Sequence, residues 1–345
     1  MDFEVIPLGR IAQGTFGEIS LALRKEIVYA LKTPFNNDRS EMDILQDLSY
    51  HPHIVRLKGK CTTKGCLGGD HLSFVLEYCP VDLHFALEWR RLSFQPLLSM
   101  KVIRTIMMQT LSALVHVHKR GYLHGDIKPG NLLVHAYSGT IQLSDFGLAT
   151  KVGQEKSGTM NGLCTLQYRP PELLLGAPAT DPSVDIFSVG LVLCELLLGR
   201  TLFPGRSVFD QLALLWDALG TPVGNWADKL PDFGKLEFRN RSAKSWPEIL
   251  PRSRESQGLI DFLSHSVVLN PADRATAAVL YRHEWVTSES AVSLSKDLIP
   301  EDLLPPLILT PPQYTEDFTV AKKQIGELVE TRRSFLQRFD TWVSK

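Results

Sequence analysis

Polar and apolar residues alternate, or β-branched residues cluster, over residues 4–11, 18–24 and 27–33, and each run ends at a Gly-rich or charged turn. That pattern predicts three strands in the opening stretch. Over 40–48 the period becomes that of a helix, with Ile44, Leu45 and Leu48 on one face. Residues 54–59 and 72–78 read as two further strands, joined by a loop that holds Gly65, Gly68 and Gly69. Past Pro80 the texture turns helical. Residues 97–118 carry apolar positions at helical spacing and stop at Lys119-Arg120-Gly121, basic residues followed by a glycine. Further amphipathic stretches lie at 184–198, 208–219, 257–267 and 274–285. Strands first and helices afterwards predict an α+β protein of two lobes, residues 1–80 and 81–287, with a hinge near 77–80. Residues 288–345 differ again. Pro300, Pro305, Pro306, Pro311 and Pro312 mark an extended linker. Beyond it Phe318, Ile325, Leu328, Val329, Phe335, Leu336, Phe339, Trp342 and Val343 form one stripe of a C-terminal amphipathic helix. Such a stripe docks more often on its own domain than on a partner, and the chain shows no internal repeat.

Composition narrows the function classes. With 37 Lys+Arg against 38 Asp+Glu, the net charge of −1 speaks against a dedicated nucleic-acid binder or a polybasic membrane binder. The longest mostly apolar run, 186–199, is interrupted by Glu195 and is too short to span a bilayer. The first ten residues lack a basic stretch followed by an apolar one, so no secretory signal is expected. Cys61, Cys66, Cys79, Cys164 and Cys194 are too scattered for a disulfide framework, and Cys61, Cys66 and His71 do not complete a zinc site. Free thiols point to a reducing compartment, the cytoplasm or the nucleus.

Candidate chemistry begins at Ala12-Gln13-Gly14-Thr15-Phe16-Gly17, a turn between two predicted strands. Glycines there let backbone N–H groups approach phosphate oxygens with no Cβ in the way. Alone such a turn is often just a hairpin, and it opens no helix, which argues against a dinucleotide-binding fold. Lys32 closes the apolar strand that contains Val28 and Ala30. It is an ordinary edge charge or, read with the glycine turn, a phosphate ligand held by a carboxylate from the next helix. Glu41 is the acidic residue three, four and seven positions before Ile44, Leu45 and Leu48, which makes it the partner of choice. The spacing Asp38-x-x-Glu41 also fits a helix-start device in which Glu41 serves the backbone. The strongest signal is His124-Gly125-Asp126-Ile127-Lys128-Pro129-Gly130-Asn131 followed by Asp145-Phe146-Gly147. Phosphoryl transfer needs an acceptor for a hydroxyl proton, oxygen ligands for Mg²⁺ and a cation on the transferred group. Asp126 suits the first role, Asn131 and Asp145 the second, and Lys128 the third.

Taken in order, the glycine turn, Ala30-Leu31-Lys32, this loop, Asp145-Phe146-Gly147 and Pro170-Pro171-Glu172 resemble a eukaryotic protein kinase over roughly residues 5–286. The resemblance implies the bilobal protein kinase fold, with a small antiparallel β-sheet lobe carrying one helix and a large, mainly helical lobe. It also implies Mg-ATP as cofactor and protein hydroxyls as substrate. Asp185 would hold the backbone of the catalytic loop, Arg274 would pair with Glu172, and Leu45, Leu57, His124 and Phe146 would form the apolar stack that links the lobes. The purine would lie between Ala30 and Leu133 and bond to backbone at Glu77 and Cys79. Leu76 would take the gatekeeper position and Asp82 would meet the ribose. Ile11, Ala12, Gly14, Gly17 and Ile19 would cover the nucleotide from the glycine turn. Among kinases, the run 165–176, Phe203-Pro204-Gly205, Asp210-Gln211-Leu212 and Leu219-Gly220-Thr221-Pro222 resemble the cyclin-dependent branch, nearest to its cell-cycle-related and activating members. Lys128 with Thr165 implies Ser/Thr specificity, and Arg169 implies a preference for Ser-Pro or Thr-Pro. A catalytically idle kinase-fold scaffold and a small-molecule kinase are the competing classes. The intact polar set opposes the first, and the Pro170-Pro171-Glu172 platform opposes the second.

Four departures from that pattern matter. Ala12 stands where the first glycine is expected. Only eight residues separate Lys32 from Glu41, about half the usual interval, and the missing stretch is the one that holds the cyclin-facing motif. The cyclin partner that the family implies thus loses its docking sequence. Three arginines that would grip an activating phosphothreonine are Gly125, Thr150 and Ser40, and the threonine itself is Met160. Phosphate and receptor are lost together, which predicts a kinase active without activation-loop phosphorylation; the alternative keeps Ser157 or Thr159 as phosphosite with Lys151 or Lys156 as cation.

Overall fold

A computed structural model describes residues 4–14, 17–25, 27–35, 39–48, 50–64, 70–135, 139–154 and 164–288. The predicted linker and helix of residues 288–345, apart from Ser288, lie outside the described residues, as do Asp38, Ser157, Thr159 and Met160. Strands β1 (Ile6–Gln13), β2 (Gly17–Arg24) and β3 (Ile27–Pro34) lead into helix α1 (Ser40–Leu48), and β4 (Leu57–Lys64) and β5 (Asp70–Glu77) follow. The five strands form one antiparallel sheet in the order β1-β2-β3-β5-β4. Helix α1 buries Glu41, Met42, Ile44, Leu45 and Leu48, which is the face its spacing predicts.

Beyond Glu77 come β6 (Val81–Asp82), α2 (Leu83–Leu92), α3 (Met100–Lys119), β7 (Tyr122–Leu123), β8 (Leu132–Val134), β9 (Ile141–Leu143) and β10 (Thr150–Lys151). The rest is helical: α4 (Pro171–Leu174), α5 (Ser183–Leu198), α6 (Val208–Leu219), α7 (Trp246–Ile249), α8 (Gln257–Ser266), α9 (Ala277–Tyr281) and α10 (Glu284–Thr287). Two small sheets, β6-β8-β9 and β7-β10, complete the strands, and β6 and β8 line the cleft. The architecture is α+β and bilobal, as the sequence pattern predicts. Helix α5 is buried along nearly its whole length, from Val184 to Leu197, so the large lobe packs around it. Among the described helices none is long and apolar enough to cross a membrane.

Three expectations are corrected. The strand predicted over 54–59 begins only at Leu57, because Ile54 and Val55 are buried in the main core. There Ile54 bridges Leu143 and Val55 N donates to Leu143 O. Helix α2 was not predicted; its Asp82 cap, accepting from Phe85 N at 2.8 Å, and its basic last turn, Arg90 and Arg91, are the signals that mark it. The single helix predicted over 274–285 is two, because Thr276 caps α9 through Val279 N (3.3 Å) and His283 caps α10 through Trp285 N (3.2 Å).

A histidine cluster joins the turn after α1 to α3. His51 stacks on His116 (4.9 Å between centroids) and meets His53 edge-on (5.7 Å). His51 Nδ1 accepts from His53 N at 3.2 Å, so its Nε2–H faces Ser112 Oγ (3.3 Å). His116 Nε2 is buried without a partner. Burial pushes His51 down from 6.5 to about 4, with repulsion from His116 and His53 adding, and burial lowers His53 and His116 as well. The folded state therefore favours neutral rings. Their contribution is complete above about pH 6.5 and is lost as the pH falls below it. We expect the unfolding free energy to fall by about 2 kcal/mol between about pH 7 and pH 4.5 through this cluster. Urea titrations of His116→Phe check it: that variant should show a shallower pH dependence than the native chain, and an unchanged slope would place the effect elsewhere.

Candidate active site

The glycine hairpin is fixed by backbone. Gly14 N donates to Gly17 O at 2.9 Å, and a Cβ on Gly17 would stand 2.4 Å from Thr33 O, so only glycine lets β2 approach β3 there. Lys32 lies opposite Ile19 on β2 and Phe74 on β5. Its Nζ donates to Glu41 Oε1 at 2.7 Å and to Asp145 Oδ1 at 2.5 Å. The structure thus joins Lys32 to the expected Glu41, whose carboxylate faces the lysine, and adds Asp145 to the pair. Burial alone would lower the lysine, yet the two carboxylates outweigh it and hold it above its usual value. Burial pushes Glu41 up against the pull of Lys32. Asp145 would also rise by burial, but Lys32 holds it below the usual carboxylate range. Asp145 occupies the left-handed region (φ 61°, ψ 70°), a conformation that costs about 1 kcal/mol or more for a non-glycine residue and persists where contacts over-determine it.

The catalytic-loop residues are set from below by Asp185. Its carboxylate accepts from His124 N and Gly125 N, both at 2.8 Å, and pairs with His118 Nε2 at 2.9 Å. Gly125 sits at φ +79°, and a Cβ there would be 3.3 Å from Leu148 O. Glycine holds this turn without the strain that a side chain would add. His124 accepts from Asp126 N at Nδ1 (3.2 Å), donates from Nε2 to Ser144 O (2.9 Å) and meets the Phe146 ring edge-on at 4.8 Å.

Above this base, Asn131 Nδ2 donates to Asp126 O (2.7 Å) and Oδ2 (3.0 Å). Thr165 donates to Asp126 Oδ1 from both N and Oγ1, at 2.9 Å each. Lys128 Nζ reaches Asp126 Oδ2 at 2.7 Å and Thr165 Oγ1 at 2.8 Å. Burial would raise Asp126, but Lys128 holds it below its usual value, so the carboxylate is anionic and aimed. Ser144 N donates to Asn131 O at 2.9 Å, which ties this cluster to the neighbouring Asp145. Of the five expected polar groups, Lys32, Asn131 and Asp145 therefore line one cleft, and Asp126 and Lys128 join it through Asn131.

That cleft encloses about 270 Å³. The glycine hairpin contributes Ile11, Ala12, Gly14, Gly17 and Ile19; Ala30 and Leu76 come from the sheet, and Leu133 from β8. Glu77, Cys79 and Asp82 line the hinge side. The Glu77 side chain is taken up by Lys58 (3.4 Å) and His135 (3.5 Å), and the Cys79 thiol donates to Gln142 Oε1 (3.1 Å). Asp82, expected at a ribose, also caps α2, a duty the sequence reading did not assign. The sequence reading missed Val55, Tyr78, Val81 and Ser144 in the lining, because isolated residues carry no motif, and gave Gly130 a place in the loop but not in the lining. It paired Thr165 with Lys128 as a mark of Ser/Thr specificity but did not foresee its two bonds to Asp126.

Two supports lie further out. Arg274 grips Glu172 through Nη1 and Nη2, both at 2.6 Å. Arg169 donates to Cys164 O from Nε (3.2 Å) and Nη2 (2.7 Å). Away from the cleft, Asp261, His265 and His283 bring ligand-type atoms within 4.8 Å of one another. There His283 Nδ1 accepts from Trp285 N, so Nε2 carries the proton and donates to Asp261 Oδ2 at 2.9 Å. The group is a helix cap with a carboxylate partner and offers a metal no lone pair at that nitrogen.

Residues 7–286 match the protein kinase domain family. The CTD kinase subunit alpha of Schizosaccharomyces pombe is 34% identical over 302 residues, 82% of this chain and 48% of the relative. The cell division control protein 2 homolog 3 of Trypanosoma brucei brucei is 34% identical over 250 residues, 71% of this chain and 76% of the relative. Cyclin-dependent kinase C-2 of Arabidopsis thaliana is 32% identical over 299 residues, 78% of this chain and 56% of the relative. For the first and third of these, the match spans only about half of the relative's length. With a domain match over most of its length and relatives of this kind, the chain belongs to the protein kinase family, among its cyclin-dependent-kinase-like serine/threonine kinases.

Proposed function

We propose that the protein transfers the γ-phosphate of Mg-ATP to serine or threonine hydroxyls that precede a proline. The reading is supported by Lys32, Asn131 and Asp145 in one cleft lining, with Asp126 bonded to Asn131 and Lys128 paired with Asp126. Asp126, anionic and held by Lys128, Asn131 and Thr165, takes or steers the proton of an incoming hydroxyl. Lys128 places a cation on the group in transfer, and Lys32 orients the phosphates. Asn131 and the ionised Asp145 offer oxygen donors alone, which fits Mg²⁺ rather than a softer metal. Bound there, Mg²⁺ would neutralise charge on the phosphates.

Preference for proline rests on Cys164. It holds a left-handed conformation (φ 60°), and its carbonyl is occupied by the Arg169 guanidinium. An N–H from the residue after the target hydroxyl finds no acceptor there, whereas proline has no N–H to satisfy. A Ser-Pro peptide should exceed its Ser-Ala counterpart in kcat/KM by about tenfold or more, and Arg169→Ala should shrink that ratio. Equal rates on both peptides would remove the proline preference, and no phosphorylation of either would favour the idle scaffold.

We also infer activity without activation-loop phosphorylation. The segment leaving Asp145 is tied by backbone: Val152 N donates to Gly121 O and Gly153 N to Thr180 O, both at 2.9 Å, and β10 pairs with β7. The positions that would receive a phosphate are Gly125, Thr150 and Ser40, none of them cationic. Phosphatase treatment should leave turnover within about twofold; a tenfold loss restored by an upstream kinase would end this reading. A cyclin stays a partner of the branch rather than a requirement, since the Lys32–Glu41 pair is closed within the single chain. Buried free thiols at Cys61, Cys79, Cys164 and Cys194 support placement in the cytoplasm or nucleus.

A further inference from the structure

The turn Leu166–Tyr168 carries Thr165 at one end, bonded to Asp126, and Arg169 at the other, bonded to Cys164 O. It is anchored on both flanks. On one flank Tyr168 is tied to α5: its hydroxyl donates to Glu195 Oε2 (2.6 Å), and its carbonyl accepts from Ser188 Oγ (2.8 Å). On the other flank three residues close a ring. Gln167 Nε2 donates to Gly205 O at 3.0 Å, Gly205 N donates to Gln211 Oε1 at 3.0 Å, and Gln211 Nε2 donates back to Gln167 O at 3.2 Å. Each member gives one donor and one acceptor, so the bonds run head to tail and reinforce one another.

The ring is built into the packing. Gln211, from the first turn of α6, is fully buried. A Cβ on Gly205 would stand 2.3 Å from Gln211 Oε1 and 2.7 Å from its Cα, so the 205 position must be glycine for the amide to reach the backbone. The turn's flank is therefore held by directional bonds to α6, and Gln167 is the member that reaches out from the turn itself.

We propose that Gln167 is a positioning residue for the protein substrate: through the ring with Gly205 and Gln211 it fixes the turn that carries Thr165 and Arg169, and so sets peptide affinity. The proposal rests on reading this turn as the substrate platform. Gln167→Leu keeps most of the volume and deletes the donor; Gln167→Glu keeps the shape and turns a carboxylate toward Gly205 O. On the full chain with a Ser-Pro peptide, both should raise peptide KM by about fivefold while kcat and the KM for ATP stay within about twofold. Gln211→Leu combined with Gln167→Leu should cost little more than either alone, since one ring is broken once. Amide hydrogen exchange over residues 165–169 gives a readout that needs no turnover, and both Gln167 variants should speed it. If exchange and peptide KM stay native, or exchange quickens with peptide KM unmoved, the proposal is overturned. A native chain that phosphorylates no peptide would instead sink the kinase reading, and exchange would still decide whether Gln167 holds the turn.

Discussion

Asp145→Asn should yield a folded protein that has lost turnover by about a thousandfold or more. Asparagine is the informative replacement because it tolerates the left-handed backbone at this position (φ 61°), whereas alanine would add strain to the loss of charge. The side chain is partly exposed and its charge serves Lys32; Lys32 keeps Glu41 at 2.7 Å when Asp145 is neutralised. The stability cost should therefore stay near 1 kcal/mol, while the anionic oxygen suited to Mg²⁺ is gone. Two measurements separate the effects. Turnover with a Ser-Pro peptide should vanish, and the thermal shift on adding ATP should lose its dependence on Mg²⁺. Turnover above about a tenth of the native value would show that this carboxylate does not serve the metal. Because Lys32 and Lys128 hold Asp145 and Asp126 below the usual carboxylate range, both stay ionised from neutrality down to about pH 4. Loss of activity on mild acidification must then come from another group.

The sequence carried the site further than it carried the fold. Asp126, Lys128, Asn131 and Asp145 stand in one ordered run and a short tail to it, because a loop that converges on phosphate needs these residue types within hydrogen-bond reach of one another. Glu41 was legible through helical periodicity alone: it falls on the face of α1 that Ile44, Leu45 and Leu48 define. What periodicity could not show was the partner from far along the chain. Lys32 meets Asp145 across 113 positions, and Asp185 meets Gly125 across 60; no local pattern records such a contact, and only the resemblance to kinases gave the second. Helix α2 escaped because its ten residues follow a proline and begin on a cap that was read as a ribose ligand. The 274–285 stretch misled for the opposite reason: its apolar spacing is helical, but Thr276 and His283 cap separate helices, and side-chain caps outrank spacing over so few turns.

Arg274→Ala should be the most destabilising of the replacements considered, by about 3–5 kcal/mol. The guanidinium has five N–H donors, and the structure spends all five: two on Glu172, at 2.6 Å each, and one each on Val268 O (2.8 Å), Ser183 O (3.0 Å) and Leu269 O (3.1 Å). Its plane also lies 4.9 Å from the Phe187 ring of α5. The Arg274 side chain has no exposed surface and that of Glu172 is 7% exposed, so salt does little to screen the pair. Truncating the arginine leaves a buried carboxylate without its cation and removes the arginine's bonds to three carbonyls. Lysine should fail to rescue, since one ammonium cannot offer the planar fork. Replacing both partners, as in Glu172→Leu with Arg274→Met, should recover most of the loss, because the penalty comes from the orphaned charge rather than from the missing attraction. A drop in Tm on the order of 10 °C for Arg274→Ala, with a smaller drop for the double variant, is the expected pattern. If the double variant melts no higher than the single one, the pair is a net source of stability, and the physical account of α4 held to the turn before α9 by a satisfied but costly ion pair fails.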